Sequence, residues 1–280
     1  MPLNPEAVGS FGEPHDASWT SKDALLYAVG IGAGADELAY TTENTNGVTQ
    51  QVFPTFAVTI GWAGGSAMGN IGTFNPALLV HGQPAITFHK SLPVAGSVKL
   101  QGRVVAMHDK GKAAVVVTET IATDLADGQP MYTNVSSVFI RGEGGWGGER
   151  GPSGQQNVPP DRPPDHQATY HTSPDQALIY RLTGDRNPLH SDPSFAALGG
   201  FDRPILHGLC SYGFTGRALL HTLCGSDASR FRHIEGRFAS PVLPGDELTV
   251  AMWETGPGAA LFTTSVGDRA VIDQGLLRFD

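Results

Sequence analysis

From Val98 to Val105 the side chains run Val-Lys-Leu-Gln-Gly-Arg-Val-Val, apolar and polar in near alternation. A period of two places successive side chains on opposite faces, so the segment reads as an antiparallel strand with one wet face. The same pattern predicts strands over 85–89, 97–108, 112–122 and 134–141 in the first half of the chain. In the second half it predicts strands over 233–240, 246–254, 261–266 and 270–279. Residues 207–222 differ, because small and apolar residues occupy nearly every helical face there. That pattern predicts a helix buried all round rather than lying on a surface. An earlier, capped helix is expected in each half: Ser21 as N-cap with Gly30 at the far end, and Ser173 as N-cap with Pro174 in the first turn and Gly184 just past the end.

The two halves repeat one another. Three pairs of segments match in the same order at nearly constant offsets of 153, 150 and 149 residues, marked by Tyr27 and Tyr180, Pro54 and Pro204, and Gly96 and Gly245. Such spacing points to a duplicated unit. Between the copies, residues 142–171 are first Gly-rich and then Pro-rich, a composition that buries little apolar surface and reads as a linker. The organisation expected is therefore an N-terminal unit over 1–141, a linker over 142–171 and a C-terminal unit over 172–280. A buried helix wrapped by an antiparallel sheet is the hotdog architecture, so the fold class expected is α+β, a double hotdog.

Composition narrows the function. The 280 residues are 40% hydrophobic and 16% charged, which suits a packed core, and 36 glycines with 20 prolines suit a turn-rich β body. A net charge of −9 argues against nucleic acid as a main partner, because phosphate binding needs clustered cations. Cys210 and Cys224 lack the spacing of a disulfide framework and fit a reducing compartment. The N-terminal residues show no signal-peptide pattern, no apolar run approaches the ~20 residues of a membrane span, and Arg278-Phe279-Asp280 is not a peroxisomal address. A cytoplasmic location is the expectation.

The densest polar cluster is Tyr180-Arg-Leu-Thr-Gly-Asp185-Arg-Asn187-Pro-Leu-His190-Ser-Asp192-Pro193, held as a loop by Gly184, Pro188 and Pro193. Asp-x-Asn-Pro-x-His, followed by Pro204-Ile-Leu-His207-Gly208-Leu-Cys210, resembles the signature of the MaoC-like (R)-specific enoyl-CoA hydratases, also called hydratase 2. Ser21-Lys-Asp-Ala-Leu-Leu-Tyr, Thr42-Glu43-Asn44, Leu79-Val-His81-Gly and Arg141-Gly-Glu-Gly-Gly-Trp-Gly-Gly extend the resemblance over roughly residues 17 to 280. It is similar to the two-unit members of that family. The resemblance implies hydration of a trans-2-enoyl thioester to the (3R)-hydroxyacyl product, or the reverse dehydration. The implied catalytic residues are Asp185 and His190 gripping one water, Asn187 orienting water or dyad, and the Gly208 N–H as oxyanion donor. His207 either orients these groups or caps its helix, and Glu43 matches a glutamate implicated in two-unit members. The chemistry suits these types, since a carboxylate and an imidazole in one stiff loop can hold a water on one face of a substrate.

The first unit lacks this chemistry. Its corresponding segment, from Ile31 to Leu38, has neither Asn-Pro nor His, and Ala57 stands where His207 stands in the second. His81-Gly82 is not a second copy of His207-Gly208, because its spacing to the following strand is wrong. The first unit is therefore expected to supply the acyl pocket, with Gly61, Gly64, Gly65 and Ala67 leaving room, and one site per chain follows. The partner expected is an acyl-CoA or acyl-carrier-protein thioester, without metal or cofactor, in a homodimer. Three rivals are a metal site at His190, Asp192 and His207, a hotdog thioesterase, and a non-catalytic acyl-binding protein. Arg230, Arg232 and Arg237 read as solvated surface or as a basic cluster for a CoA phosphate.

Overall fold

The alternation in the first half builds four long strands, and burial follows it most closely along the third strand of the chain. The computed structural model describes residues 3–280 except Ala63, Pro76, Ala77 and the His81 side chain. Strands β2 (Leu79–Phe88), β3 (Gly96–Asp109), β4 (Ala113–Asp124) and β5 (Pro130–Arg141) form the first unit's sheet. Along β3, Val98, Leu100, Gly102 and Val104 face inward while Lys99, Gln101 and Arg103 face water. A register shift between Val104 and Ala106 then restores the inward face at Met107. The second unit repeats the pattern with β7 (Phe231–Phe238), β8 (Glu247–Gly256), β9 (Ala259–Val266) and β10 (Arg269–Phe279). Strand β2 starts earlier than the sequence suggests, so His81-Gly82 lies within it, His81 opposite Val138.

Two strands escape the sequence pattern, β1 (His15–Trp19) and β6 (His166–His171), and they are the two edges of the sheet. Edge strands are short and half wet, so their alternation is weak. The segment read as a linker therefore ends in a strand, with β6 pairing β8 from His166 opposite Met252 to His171 opposite Glu247. Its glycine-rich start is also tied down. The Asp109 carboxylate accepts from the N–H groups of Gly111, Gly145 and Gly147 at 2.7–2.8 Å. These backbone donors hold the Asp109 carboxyl below the usual carboxylate range.

Ten strands form one antiparallel sheet in the order β1-β3-β4-β5-β2-β7-β10-β9-β8-β6. The units meet where Ala85, Ile86 and Thr87 of β2 pair with Glu235, Ile234 and His233 of β7. Helix α5 (Gly208–Leu223) is the buried helix expected, with Tyr212, Phe214, Ala218, Leu219 and Leu220 fully enclosed. Each large apolar side chain so enclosed contributes about 1.5–3 kcal/mol. Among the described residues of the first unit no such helix forms. Single turns over Pro54–Val58 and Met68–Ile71 stand in its place. This is the double hotdog, with a long central helix in the second half and, among the described residues, single turns in the first.

Helix α1 (Ser21–Gly30) and the short α2 (Leu38–Thr41) pack the first unit onto α5. The N-cap of α1 is Thr20, one residue before the Ser21 expected, because Asp23 returns a bond to the Thr20 N–H at 2.8 Å. The close approach of the units requires Gly213 of α5, where a Cβ would lie 2.8 Å from the Tyr27 hydroxyl. Glu37, just before α2, binds both Arg217 and His221 of α5. In the second unit the first helix is shorter than expected, α3 (Gln176–Tyr180), and Ser173 caps the turn before it by accepting from the Asp175 N–H. A further helix, α4 (Pro193–Leu198), begins at a proline read as a breaker; proline fits a first helical turn, where its missing N–H has no partner to lose.

Candidate active site

The loop between α3 and α4 is a series of side chains bonded back to their own backbone. Asp185 Oδ1 accepts from the Asn187 N–H at 3.1 Å, and Asn187 Oδ1 accepts from the Leu189 N–H at 3.0 Å. Asn187 thus caps the single turn Pro188–His190 and fixes where His190 emerges. His190 is buried, and its Nδ1 lies 2.9 Å from the Ile205 carbonyl oxygen. A carbonyl only accepts, so Nδ1 carries a proton, and whenever the ring is neutral Nε2 is the accepting nitrogen. His207, the residue before α5, points Nε2 at the Asp185 carbonyl oxygen at 3.2 Å, while its Nδ1 is buried with no partner. The two imidazoles stack with centroids 3.8 Å apart and planes 28° apart, and Tyr180 packs on His207 at 5.0 Å.

The structure therefore gathers Asp185, His190 and His207, each offering one donor atom within 4.8 Å of the others. Gly208 adjoins them at the first turn of α5, exposed, with a backbone N–H that helix geometry leaves without an intrahelical partner. Glu43 is not part of this group; it is exposed in the turn after α2. The cluster differs from the rival metal set of His190, Asp192 and His207. Asp192 spends its carboxylate on the N-terminus of α4, accepting from the Ser194 N–H at 2.8 Å, and Asp185 takes its place. Two imidazoles and a carboxylate are metal-binding types, yet the stacking opposes it. Ring lone pairs lie in the ring planes, and planes only 28° apart converge well beyond the ~2.1 Å reach of a metal–nitrogen bond.

His207 carries an electrostatic signature. Burial, followed by the neighbouring His190, holds its pKa down to about 3. An imidazole in the unfolded chain titrates near ~6.5, so between these values the unfolded chain holds a proton that the folded one lacks. Stability therefore falls as pH drops from ~6.5 towards 3, by about 1.4 kcal/mol per pH unit from this residue. Denaturant titrations at a series of pH values should give His207→Gln a shallower acid decline than the wild type over that window. Parallel curves would mean that the folded protein accepts the proton.

Next to the cluster opens a cavity of ≈ 440 Å³ in the first unit, beneath the turns that replace its central helix. Leu209 and Phe238 line its near end; a Cβ on Gly208 would lie 3.1 Å from the Phe238 ring. Trp62, which also lines it, lies against Gly184, next to Asp185. Ile60, Met68, Phe74 and Leu79 line it together with residues of β4 and β5. Two of the four small residues expected to leave room do line it, Gly61 and Gly64. Gly65 is small for another reason, since a Cβ there would lie 2.5 Å from the Leu100 carbonyl oxygen. Ala67 is 1% exposed in a separate apolar cluster with Ile71, Val104 and Met107.

Sequence reasoning placed Tyr180 in the polar cluster without a role and did not find Phe238 or the polar residues of β5, because strand side chains reach the site only through pairing. The one available hint was the repeated tyrosine at 27 and 180. The arginines singled out earlier do not form a free basic cluster: Arg232 pairs with Asp280, Arg237 pairs with Asp273, and Arg230 donates to the Asp280 carbonyl. Cys210 and Cys224 are buried free thiols.

Two family models match the chain, one over each half. The MFE-2 hydratase 2 N-terminal domain matches residues 18–142, and the MaoC like domain matches residues 155–274. The 3-hydroxyacyl-thioester dehydratase Y of Mycobacterium tuberculosis is 46% identical over 288 residues, spanning 100% of this chain and 99% of that protein. A probable enoyl-CoA hydratase 2 of Dictyostelium discoideum is 37% identical, spanning 89% of this chain and 86% of that one. The crystal structure of a MaoC-like dehydratase from Phytophthora capsici superposes with a TM-score of 0.90 at 33% identity, over 99% of this chain and 98% of that one. Similarity of this extent, across both halves, means that the chain belongs to the MaoC-like hydratase 2 family in its two-unit form.

Proposed function

We propose that this protein is a hydro-lyase that adds water to trans-2-enoyl-CoA to give (3R)-hydroxyacyl-CoA, or removes it in the reverse direction, in fatty-acid metabolism. The observation that carries the reading is the convergence of Asp185 and the accepting nitrogen of His190 beside the first N–H of α5. A water held between carboxylate and imidazole donates one hydrogen to each. As its oxygen bonds C3, Asp185 draws off a proton, His190 shares the water and relays the proton, and C2 receives it; OH and H thus add across the double bond. Charge building on the thioester oxygen is met by the Gly208 N–H at the positive end of α5. His207 and Asn187 are positioning residues, one by stacking on His190 and the other by capping its turn. The acyl chain runs from Gly208 past Leu209 and Phe238 into the first unit's cavity. Glu43 is proposed to act with bound substrate rather than in the resting cluster.

Coenzyme A or an acyl carrier protein serves as the thioester handle, and the chain works as a cytoplasmic homodimer on this reading. The edge-to-edge pairing of two hotdog sheets already exists within one chain, so a second copy is not needed to complete the site. No described helix is long and apolar enough to cross a membrane. The test is loss of enoyl absorbance from crotonyl-CoA, with chiral analysis of the product. The (3R) product is expected without release of thiol. Mainly the 3S product would reverse the face of attack, and stoichiometric free thiol would make the protein a thioesterase.

A further inference from the structure

Trp62 stands where the first unit's cavity meets the loop of the candidate site. It lines the cavity together with Leu209 and Phe238 of the second unit. Its Cβ and Cγ lie 3.4 and 3.7 Å from where a Cβ on Gly184 would stand, one residue before Asp185. The turn that carries it is held by its own backbone. The Trp62 N–H donates to the Thr59 carbonyl oxygen at 3.3 Å, and the Gly64 N–H donates to that of Gly61 at 2.6 Å. Aromatic side chains contribute most when covered, yet Trp62 is 38% exposed, whereas Trp19 and Trp253 are 4% and 9% exposed. Of the four tryptophans, Trp62 alone lines this cavity. A single exposed apolar side chain is ordinary on an open surface. One that borders a cavity and touches the loop of Asp185 is placed to be covered by whatever enters that cavity.

Resting on the reading of this cavity as the acyl pocket, we propose that Trp62 is a specificity-determining residue: the acyl chain crosses its indole on leaving the double bond, and covers it. The carbons beyond C3 must pass from Asp185 and His190 towards Leu209 and Phe238, and Trp62 borders that passage from the first unit. A crotonyl group ends one carbon past the double bond and covers little of the indole. A hexenoyl or octenoyl group continues across it. Each methylene that leaves water for an apolar surface strengthens binding about fourfold. Preference should therefore climb over the first few methylenes after the double bond, and the indole supplies the surface that makes it climb.

Two measurements test this. The first compares kcat/KM for trans-2-hexenoyl-CoA with that for crotonyl-CoA. In the wild type the longer substrate should be favoured about tenfold, since two methylenes are covered. Trp62→Ala should bring the ratio to within about threefold of one, and Trp62→Phe, which keeps an aromatic face, should retain more of it. The ratio is read within each variant, so a general loss of activity cancels. The second follows tryptophan emission during titration with decanoyl-CoA, which lacks the double bond, and with coenzyme A alone. Emission should move to shorter wavelength with decanoyl-CoA only, and Trp62→Phe should abolish the shift. A shift that survives in Trp62→Phe overturns the inference, as does a chain-length ratio that Trp62→Ala leaves unchanged. If crotonyl-CoA is not hydrated at all, the hydratase reading fails, and the titration still decides whether Trp62 meets the acyl chain. If Ser136→Phe leaves long-chain activity intact, the cavity reading fails and this inference with it. If Ser136→Phe lowers that activity while the Trp62 variants change nothing, only the role of Trp62 fails.

Discussion

Asp185→Asn and His190→Gln are each expected to lower kcat on crotonyl-CoA by ~10²–10⁴-fold while leaving the circular dichroism spectrum and denaturation midpoint near those of the wild type. Each change removes one of the two groups that hold the water but keeps a polar side chain of similar size. Asn at 185 retains an oxygen for the Asn187 N–H, so the loop's own bonding survives. The double variant should be scarcely worse than either single one, because a proton relay fails once either member is gone. Near-normal turnover in one single variant would remove that residue from the essential chemistry. Loss of fold in both would mean that the loop, rather than the reaction, depends on them.

Filling the cavity should separate substrates by length. Gly64 and Ala67, the residues that sequence spacing suggests, are poor sites for this test. A side chain on Gly64 would run into His15 and the Gly61 carbonyl, and Ala67, 1% exposed, sits in a packed cluster beside the cavity with no room for added bulk. Ser136 of β5 lines the cavity and is the better position. Ser136→Phe should leave crotonyl-CoA hydration within a few-fold and lower kcat/KM on trans-2-decenoyl-CoA by about 100-fold or more. Added bulk commonly costs ~1–3 kcal/mol of stability, so the denaturation midpoint is measured first. Equal losses on both substrates would show that the first unit supports the fold generally. Unchanged activity on the longer chain would place the acyl group elsewhere.

How much of this was legible in the residues depended on whether a signal was local. The eight long strands and α5 announce themselves by periodicity, because each buries one face or all faces against the core. The edge strands β1 and β6 do not, since water covers much of them and their pairing partners are distant in sequence. The loop of the candidate site was readable because Asp185, Asn187 and His190 sit within six residues and owe their geometry to bonds among neighbours. The stacking of His190 on His207, and the commitment of Asp192 to a helix cap, depend on how two segments meet. The polar residues that line the cavity were invisible for a further reason. Thr118, Thr120, Asn134 and Ser136 look like the outward face of a strand, and only the fold shows that they line it.

The seam between β2 and β7 pairs three residues of each hotdog, and the segment from β5 to β6 makes the two one covalent chain. Two separate copies of a single hotdog would be bound by symmetry: whatever opens space in one opens it in the other, and each copy must keep a helix that its own chemistry needs. Fusion lifts that constraint. One half is released to drift towards a container while the other holds its reactive loop and its dipole unchanged, and mutations in the two are no longer copied across an axis. A duplicated gene joined end to end is thus a means of breaking symmetry, through which substrate size and reaction chemistry can be selected independently.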